Sequence, residues 1–345
     1  MKALIWSENK LRKTEVAEPE IKTPNQVKIK IHLTGICGTD LALIAGKEQE
    51  APEVIRGHEA VGTVTGVGEK VGDIKVGDRV VIDPNQYCGN CYYCRRGATN
   101  LCNGGRTGGF DIAGLNIHGT FAEYFVCEDK YVYRIPDNMS WETALMIEPL
   151  ACVLHNLMKA EISVDDSVLV LGSGPMGMLC QMASKKLSRL TAATEKSEFR
   201  LKYAKTISDY AFSPEMLSVE TVYKINSGRK FDLVIDAIGN QLEFAEEYIE
   251  RGGRIVLLGI NPNYKFTFSP AKYLSNGIKI LGLGEYNQLF ETTIQFASTL
   301  PDLNKLVTRK YPLEEYKEAI NELLGYDLDT RCAVSCETIK TALML

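Results

Sequence analysis

The sequence predicts an α/β protein with two domains, a β-rich domain followed by a domain built around a doubly wound parallel sheet. The chain has 345 residues, more than a single hydrophobic core usually organises. Residues 1–150 contain β-branched runs punctuated by glycine, such as "AVGTVTGVG" and "VGDRVVID". From Asp166 onward, short apolar runs alternate with helical segments, which is the pattern of βαβ units and a parallel sheet.

The elements of the first domain follow from hydrophobic periodicity. "QVKIKIHLTGIC" has apolar residues at every second position, which predicts a strand with one buried face. "SWETALMIEPLACVLHNLM" has helical periodicity, with Ser140 as a candidate N-cap. We expect Pro149 to kink or interrupt that helix, because proline lacks the N–H that a helix interior uses.

The second domain is predicted from "SVLVLGSGPMGMLCQMASKK", in which an apolar strand, a glycine turn and a helix follow one another. The later runs "KFDLVIDAIGN", "GGRIVLLGI" and "IKILGLG" supply further strands. After Tyr286, "NQLFETTIQFASTL" and "PLEEYKEAINELLG" predict two helices. We expect the last residues, "RCAVSCETIKTAL", to close a sheet and to return to the first domain.

The charge balance and the apolar runs narrow the classes of protein. A net charge of −5 provides no basic field for a phosphate backbone. No apolar run reaches the ~18 residues of a membrane span, and "MKALIWSENK" lacks the apolar region and cleavage site of a signal peptide. We therefore expect a cytoplasmic protein that binds neither nucleic acid nor a membrane.

The turn in "VLVLGSGPMG" matches the dinucleotide fingerprint, with Gly172, Gly174 and Gly177 between a strand and a helix. These glycines permit the tight turn, the approach of a pyrophosphate and the close packing of helix and strand. Glu195 follows the next strand, where a carboxylate accepts hydrogen bonds from adenosine ribose hydroxyls, which favours NAD over NADP. The nearby cations that are compatible with a 2′-phosphate are Lys196 and Arg200.

Four of the ten cysteines lie in "YCGNCYYCRRGATNLC", with the spacing C-x2-C-x2-C-x7-C. Such runs occur in disulfide knots, in nucleic-acid-binding zinc modules and as one part of a larger protein. A reducing compartment favours metal thiolates over disulfides. A second candidate set is Cys37, His58 and Glu148, since zinc takes thiolate, imidazole and carboxylate. No local spacing links these three residues, and each has a structural explanation by itself.

The motifs "GICGTD", "GHEAVG", the four-cysteine run, "GTFAEYF", "EPLA" and "LGSGPMG" stand in the order found in zinc-dependent medium-chain alcohol dehydrogenases. The chain resembles that family over essentially its whole length, and "EPLA" makes it similar to the sorbitol (polyol) and threonine dehydrogenase branch. The resemblance implies a GroES-like catalytic domain in residues 1–153 and 287–345, with a structural-zinc lobe at about 85–105. It implies a Rossmann NAD(P)-binding domain in residues 154–286.

The resemblance also implies an activity and two zinc ions per chain. The expected reaction oxidises a secondary alcohol to the ketone by hydride transfer to NAD(P). The alcohol would be a polyol, an amino-polyol or aminocyclitol, or a hydroxy amino acid. The structural zinc is expected at Cys88, Cys91, Cys94 and Cys102, and the catalytic zinc at Cys37 and His58, with Glu59 or Glu148 as the third protein ligand.

Further roles follow from the same resemblance. Asp40 is expected to orient His58 through its other ring nitrogen, as carboxylates near metal-bound histidines do. Thr39 is expected to take the proton from the alcohol. The other cofactor contacts are expected at Pro175, Met176, Leu258, Gly259 and Leu283.

Three positions depart from the pattern of the branch. Ala42 stands where many relatives have a relay histidine, so that water, His118 or His155 would move the proton instead. Glu285 takes the place of an arginine on the substrate side of sorbitol-type enzymes, which suits an amine or a hydroxyl-rich substrate unless it is an exposed loop acid. Glu195 stands where relatives usually have aspartate.

Two other functions compete with this one. A zinc-free quinone or enoyl reductase of the same superfamily would need neither the cysteine run nor "GHE" and "EPLA". A non-catalytic zinc-binding protein is disfavoured by the acidic balance and by the intact glycine turn. We also expect a homo-oligomer, a dimer or a tetramer, and a small-molecule substrate selected by side chains such as Leu43, Ile44, Phe110 and Tyr286.

Overall fold

A computed structural model describes residues 1–47 and 51–345 of the chain. The chain divides into two compact units, Met1–Glu148 with Asn287–Leu345, and Pro149–Tyr286. From the sequence, the first domain boundary is expected between residues 153 and 154. That position and the observed division both lie inside the helix Ile147–Lys159, so hydrophobic periodicity gives no signal for either one.

Both units contain β-strands. In chain order they are β1 Lys2–Ser7, β2 Lys10–Glu15, β3 Gln26–Gly35, β4 Glu59–Val67, β5 Arg79–Ile82, β6 Asn85–Gln86, β7 Asp111–Ile112, β8 Tyr124–Glu128, β9 Val132–Arg134, β10 Ser167–Leu171, β11 Leu190–Thr194, β12 Tyr210–Phe212, β13 Phe231–Asp236, β14 Ile249–Leu257, β15 Lys279–Gly282, β16 Val307–Pro312 and β17 Lys340–Met344.

Both units also contain α-helices. In chain order they are α1 Gly38–Ile44, α2 Trp141–Leu145, α3 Ile147–Lys159, α4 Pro175–Leu187, α5 Glu198–Ile207, α6 Val219–Ile225, α7 Leu242–Tyr248, α8 Pro270–Asn276, α9 Phe290–Ala297 and α10 Tyr316–Leu324. No helix in the described part of the chain is long and apolar enough to cross a membrane.

The larger sheet of the first unit has the order β16-β17-β3-β4-β5-β9, and β8 also pairs with β3. β3 is long enough for β8 and β17 to share one of its edges, β8 along Gln26–Lys30 and β17 along Leu33–Gly35. Alternate β3 residues Val27, Ile29 and Ile31 are fully buried in the core, as the period of two predicts. The last strand therefore returns to the first domain, as we expected.

The second unit is a parallel sheet with the order β12-β11-β10-β13-β14-β15. Numbered within the unit, this is the 3-2-1-4-5-6 order of a doubly wound dinucleotide-binding fold. Every residue of the central strand β10 is buried, because helices cover both faces of such a sheet. The predicted fold class, a β-rich domain with a doubly wound parallel-sheet domain, is confirmed.

The helix predicted around Pro149 is divided in two. Ser140 caps α2 and accepts a hydrogen bond from the Thr143 N–H at 3.1 Å. The division lies at Met146, between α2 and α3, and Pro149 lies in the first turn of α3. Proline is tolerated there because the first N–H groups of a helix have no intrahelical partner.

Candidate active site

Strand register brings the first set of candidate ligands together. β3 ends at Gly35, which pairs with Glu59 at the start of β4. Cys37, two residues after the end of β3, therefore lies beside His58, which immediately precedes β4. The Cys37 sulfur, an imidazole nitrogen of His58 and a carboxylate oxygen of Glu59 all lie within 4.8 Å of one another.

A buried ion pair holds Glu59 in this set. Lys340, the first residue of β17, pairs with the Glu59 carboxylate, and both side chains are almost fully buried. Burial opposes the charge of Lys340, but Glu59 and then Cys37 raise its pKa, so it stays protonated. A Cβ atom on Gly35 would lie 2.0 Å from Glu59 Oε2 and 2.9 Å from Lys340 Cε, so only glycine leaves room for the pair.

The residues present fit a divalent metal. His58 Nδ1 is buried and has no hydrogen-bond partner among the described residues, an arrangement that folded proteins rarely leave. Burial opposes protonation of His58, but Cys37, Asp40 and Glu148 raise its pKa to about 10. The site is therefore a region of negative potential. Zinc is held by this combination of thiolate, imidazole and carboxylate.

The charges around the site lead to the same conclusion. The acidic groups are the Cys37 thiol, Asp40, Glu59 and Glu148, and the buried cations that face them are Arg56 and Lys340. Acidic groups therefore outnumber the arginine and lysine at this site, and a divalent cation bound among them would be stabilised by their charge.

Asp40 does not orient His58 by a hydrogen bond, which differs from our expectation. Its Oδ1 accepts from Arg56 Nε at 3.2 Å, and its Oδ2 accepts from the Cys37 N–H at 3.2 Å. Arg56 and Asp40 are 3% and 1% exposed. Asp40 pairs with the Arg56 guanidinium rather than with His58, because a buried charge requires a partner of opposite sign. Arg56 was not predicted from the sequence, although its place two residues before His58 offered a signal.

Thr39 lies beside the same set. Its hydroxyl is 3.7 Å from the Cys37 sulfur, in the first turn of α1. Glu148, in the first turn of α3, influences the charge of His58 and Lys340 but is not among the three donor atoms that converge. Of the two candidate carboxylates, Glu59 is the one that reaches the cluster.

The four-cysteine lobe also fits a metal. The sulfurs of Cys88, Cys91, Cys94 and Cys102 lie within 4.8 Å of one another. The Cys88–Cys94 and Cys91–Cys102 separations are both 4.0 Å. A tetrahedral zinc with bonds of ~2.3 Å sets its sulfurs ~3.8 Å apart, so a small contraction closes the site.

The electrostatics of the lobe favour thiolates that share a cation. Backbone N–H groups lower the pKa of Cys88, and they lower that of Cys91 to about 6. Burial, followed by the Cys91 thiol, raises the pKa of Cys94 to about 12. Thiolates this close repel one another, and a divalent cation at their centre removes that repulsion.

The glycine turn after β10 has the geometry of a phosphate-binding loop. Gly172 has a φ of 92°, and a Cβ there would lie 2.6 Å from Ile238. A Cβ on Gly177 would lie 2.0 Å from the Gly172 carbonyl oxygen, so helix and strand pack too closely for a side chain. A Cβ on Gly174 would meet only the end of the Arg200 side chain, and Gly174 caps α4, whose first turn contains Pro175 and Met176. A pyrophosphate can approach the helix N-terminus there.

Glu195 lies next to this turn. The Ser173 N–H donates to its Oε2 at 2.7 Å, and the Ser197 N–H donates to its Oε1 at 2.8 Å. Lys196 is exposed, and the nearest atom to a Cβ on Gly174 would be Arg200 Nη1, at 3.9 Å. The carboxylate is thus fixed at the end of β11, and each oxygen has a lone pair left for a ribose hydroxyl.

Asp236 organises the neighbouring loops, which the sequence analysis did not foresee. Its carboxylate accepts from the N–H groups of Ile238 and Gly239, and its carbonyl accepts from those of Leu258 and Gly259. It therefore ties two strand ends together at the carboxyl edge of the sheet, where such folds bind their ligands. An aspartate closing the apolar run "FDLVID" was the available signal.

The comparisons with known proteins match both units. Residues 23–137 match the alcohol dehydrogenase GroES-like domain, and residues 175–299 match the zinc-binding dehydrogenase domain. The chain belongs to the zinc-dependent medium-chain alcohol dehydrogenase family. This dehydrogenase is 31% identical to L-threonine 3-dehydrogenase of Salmonella gallinarum strain 287/91, over 94% of the chain and 96% of the relative. It is 29% identical to sorbitol dehydrogenase of Bacillus subtilis strain 168, over 94% of each.

Solved structures resemble the dehydrogenase over its whole length. A zinc-binding dehydrogenase from Sinorhizobium meliloti 1021, bound to NADP, superposes with a TM-score of 0.87 at 25% identity. The match covers 100% of this chain and 99% of the other. The predicted sorbitol and threonine dehydrogenase branch is supported by the relatives, and the chain is an oxidoreductase that acts on CH–OH groups.

The positions that depart from the branch have defined surroundings in this dehydrogenase. Glu285 Oε2 lies 3.8 Å from the Cys152 sulfur, and His155 Nε2 lies 3.3 Å from the Leu283 carbonyl oxygen. Burial is the main cause that lowers the pKa of His155, so it is neutral at pH 7. His118 is exposed and accepts the Ile55 N–H at Nδ1. Among the described contacts, none joins His118 to Thr39.

Proposed function

We propose that the chain oxidises a secondary alcohol to a ketone, with zinc at Cys37, His58 and Glu59 and with a nicotinamide cofactor at the glycine turn. The observation that carries the proposal is the convergence of the half-buried Cys37 sulfur with the buried His58 imidazole and Glu59 carboxylate. A zinc ion held by three protein ligands would keep its fourth position for water or a substrate. Zinc, when bound, supplies Lewis acidity to the alcohol, and the cofactor accepts the hydride. The protein holds both groups and moves the proton.

The proton is assigned to Thr39. Its hydroxyl lies 3.7 Å from the Cys37 sulfur, and it can accept a proton from an alcohol held beside the donor set while donating its own onward. Ala42 offers no further relay group, so water carries the proton out. Asp40 and Arg56 keep the Cys37 backbone in place, which orients the thiolate.

Two zinc ions per chain are proposed, one in each set of donors. The second ion, in the four-cysteine lobe, has four protein ligands and leaves no position for a substrate, so its role is structural. Glu59 is proposed as the third ligand of the catalytic ion. Zinc content of Glu59→Gln and Glu148→Gln tests this choice, since the ligand's loss should release the catalytic zinc and the other variant should keep it.

NAD is proposed as the preferred cofactor. Glu195 is fixed by two backbone N–H groups, and its charge would repel a 2′-phosphate. Lys196 and Arg200 work in the opposite direction, and the related dehydrogenase from Sinorhizobium meliloti holds NADP. The remaining contacts are proposed at Leu258, Gly259 and Leu283, the first two of which Asp236 positions.

The substrate is proposed to be a polyol or amino-bearing alcohol. The relatives act on sorbitol and threonine by name, one a neutral polyol and the other an amine-bearing alcohol. Glu285 is proposed as the substrate contact, because a carboxylate attracts an ammonium group and accepts hydrogen bonds from hydroxyls. His155 is assigned a packing role against Leu283 rather than a catalytic one.

The first experiment measures NAD(P)H formation by the zinc-loaded protein. The panel contains sorbitol, xylitol, threonine, a simple secondary alcohol and an aminocyclitol, each with NAD+ and with NADP+. Turnover confined to the amine-bearing compounds, and reduced in Glu285→Gln, supports an amine contact. Turnover on neutral polyols assigns the protein to the sorbitol-like group, and no turnover on any alcohol would contradict the proposed function.

We also propose that the protein forms a homo-oligomer in the cytoplasm. β15 is an edge strand, and two of the most exposed apolar side chains are Leu274 (86% exposed), in the helix before β15, and Ile260 (84%), shortly after its neighbouring strand β14. Exposed apolar groups beside an unpaired strand edge are typical of a subunit interface. All ten cysteines are unpaired, and the thiolate sites require a reducing compartment.

A further inference from the structure

A single side-chain amide joins the four-cysteine lobe to a distant part of the chain. Asn287 Oδ1 accepts the Thr99 N–H at 3.1 Å and the Thr99 hydroxyl at 2.7 Å. Asn287 Nδ2 donates to the Gly97 carbonyl oxygen at 2.6 Å. These three bonds fix the orientation of the amide, because a backbone N–H must be given an acceptor and a carbonyl a donor.

The contacted residues lie between two of the metal-binding cysteines. Gly97 closes the short 3₁₀ turn that begins at Cys94, and Thr99 opens the next turn, which leads to Cys102. Gly97 has a φ of 78°, and Thr99 is only 5% exposed. The amide thus holds the link between the third and fourth sulfurs from outside the lobe.

The other side of the contact adjoins the proposed substrate and cofactor residues. Asn287 directly follows Leu283–Tyr286, which contains Leu283 and Glu285. Tyr286 is among the largest fully buried side chains, so the residue that joins Asn287 to this segment is itself held by packing. Glu285 lies two residues before Asn287, so the position of its backbone depends on where Asn287 is held.

We propose that Asn287 is a positioning residue, through which the metal of the four-cysteine lobe holds Leu283–Tyr286 in place. The inference rests on the proposed function, in which that segment contacts substrate and cofactor. With the metal bound, the sulfurs of Cys94 and Cys102 fix the link that contains Gly97 and Thr99. Without the metal, Cys94 and Cys102 no longer hold the two ends of the link in place, and the amide of Asn287 no longer binds a rigid partner.

Hydrogen exchange measured by mass spectrometry tests the coupling. In zinc-loaded Asn287→Ala, amides of residues 97–99 and of residues 283–286 should exchange about threefold to tenfold faster than in the wild type, since one to three hydrogen bonds are lost. The KM for the alcohol should rise by a similar factor while kcat changes by less than about twofold, because ground-state positioning is lost. Thr99→Val should give a smaller change of the same kind, and Thr99→Ser, which keeps the hydroxyl, should restore the wild-type values.

Chelation separates the coupling from a local packing defect. In a Cys37→Ser background the lobe holds the remaining zinc, and its removal should accelerate exchange at 283–286. Adding Asn287→Ala to that background should abolish the response to chelation. Faster exchange confined to the lobe, or a response that persists without Asn287, would overturn the proposal. A lobe without zinc in the untreated protein would instead contradict the proposed structural zinc, and the Asn287→Ala comparison would then decide whether the amide positions the segment.

Discussion

At the scale of single residues, Gly35 determines how closely the side chains of the metal site can pack. Gly35 has no side chain because Glu59 and Lys340 occupy the space where a Cβ would lie. A substitution to alanine would push the carboxylate away from Cys37 and His58. Such buried charged pairs tolerate little displacement, since a charge that loses its partner inside a protein is strongly destabilising.

Thr39 is the residue whose proposed role is chemical rather than architectural. Thr39→Val preserves the shape of the side chain and removes the hydroxyl that lies 3.7 Å from the Cys37 sulfur. We expect kcat to fall by about 10²-fold or more, the typical contribution of a positioned proton-transfer group. Zinc content should stay unchanged, because the hydroxyl is not among the three converging donors. Steady-state kinetics with metal analysis of the same sample measures both.

The matched control is Thr39→Ser, which keeps the hydroxyl and should retain most of the turnover. Equal kcat in the valine variant and the wild type would remove Thr39 from the reaction. A loss of zinc in the valine variant would assign the residue a structural role at the site instead.

At the scale of elements, periodicity predicted local structure well and long-range pairing poorly. The strand over "QVKIKIHLTG", the glycine turn and the helix caps all depend on neighbouring residues, so their signals are present in the sequence. Lys340 and Asn287 contribute to sites through partners that are far away in the chain, and no local pattern marks such contacts. Arg56 and Asp236 stood next to recognisable motifs and could have been found.

The metal ligands illustrate the same limit. Cys88, Cys91, Cys94 and Cys102 form a compact run, so their spacing alone indicated a site. Cys37 and His58 were linked only by resemblance to a family, because the pairing of Gly35 with Glu59 that joins them is a property of the sheet. The expected contact of Asp40 with His58 failed for a similar reason, since Arg56 competes for the carboxylate.

The edge strand β15 carries the prediction that belongs to this scale. Leu274 lies in α8, just before β15, and is 86% exposed, so Leu274→Glu should leave the fold of the isolated chain intact. We expect the charge to weaken the proposed subunit interface, because a carboxylate buried between subunits lacks a partner. Light scattering coupled to size-exclusion chromatography should report a lower mass at low micromolar concentration.

Met216 provides the matched control for this substitution. It is also highly exposed and lies after β12, at the opposite edge of the same sheet. Met216→Glu should leave the mass of the oligomer unchanged. If both variants or neither dissociated, β15 would not be the interface.

At the scale of the whole molecule, the stability of the folded state depends on pH through two histidines that the proposed reaction does not use. Burial, and then Lys30 and Arg79, lower the pKa of His32 below its usual 6.5, and burial with Lys159 does the same for His155. The unfolded chain therefore binds these protons more readily than the folded chain. Their contribution to stability is complete above pH 6.5 and is lost as the pH falls from 6.5 through the lowered values.

His32 gives this dependence a direct test. Its Nε2 lies 2.9 Å from the Thr63 hydroxyl, and its ring packs 4.8 Å from Trp141, over which Arg79 stacks at 4.1 Å. A protonated His32 would lie across the Trp141 ring from the Arg79 guanidinium, and the two positive charges would repel each other. His32→Gln keeps a hydrogen-bonding side chain but cannot titrate, so the decrease in Tm of the zinc-loaded protein between pH 7.5 and 5.5 should be smaller than in the wild type. An equal decrease in the two proteins would show that other groups, such as the zinc-binding thiolates, govern the acid sensitivity.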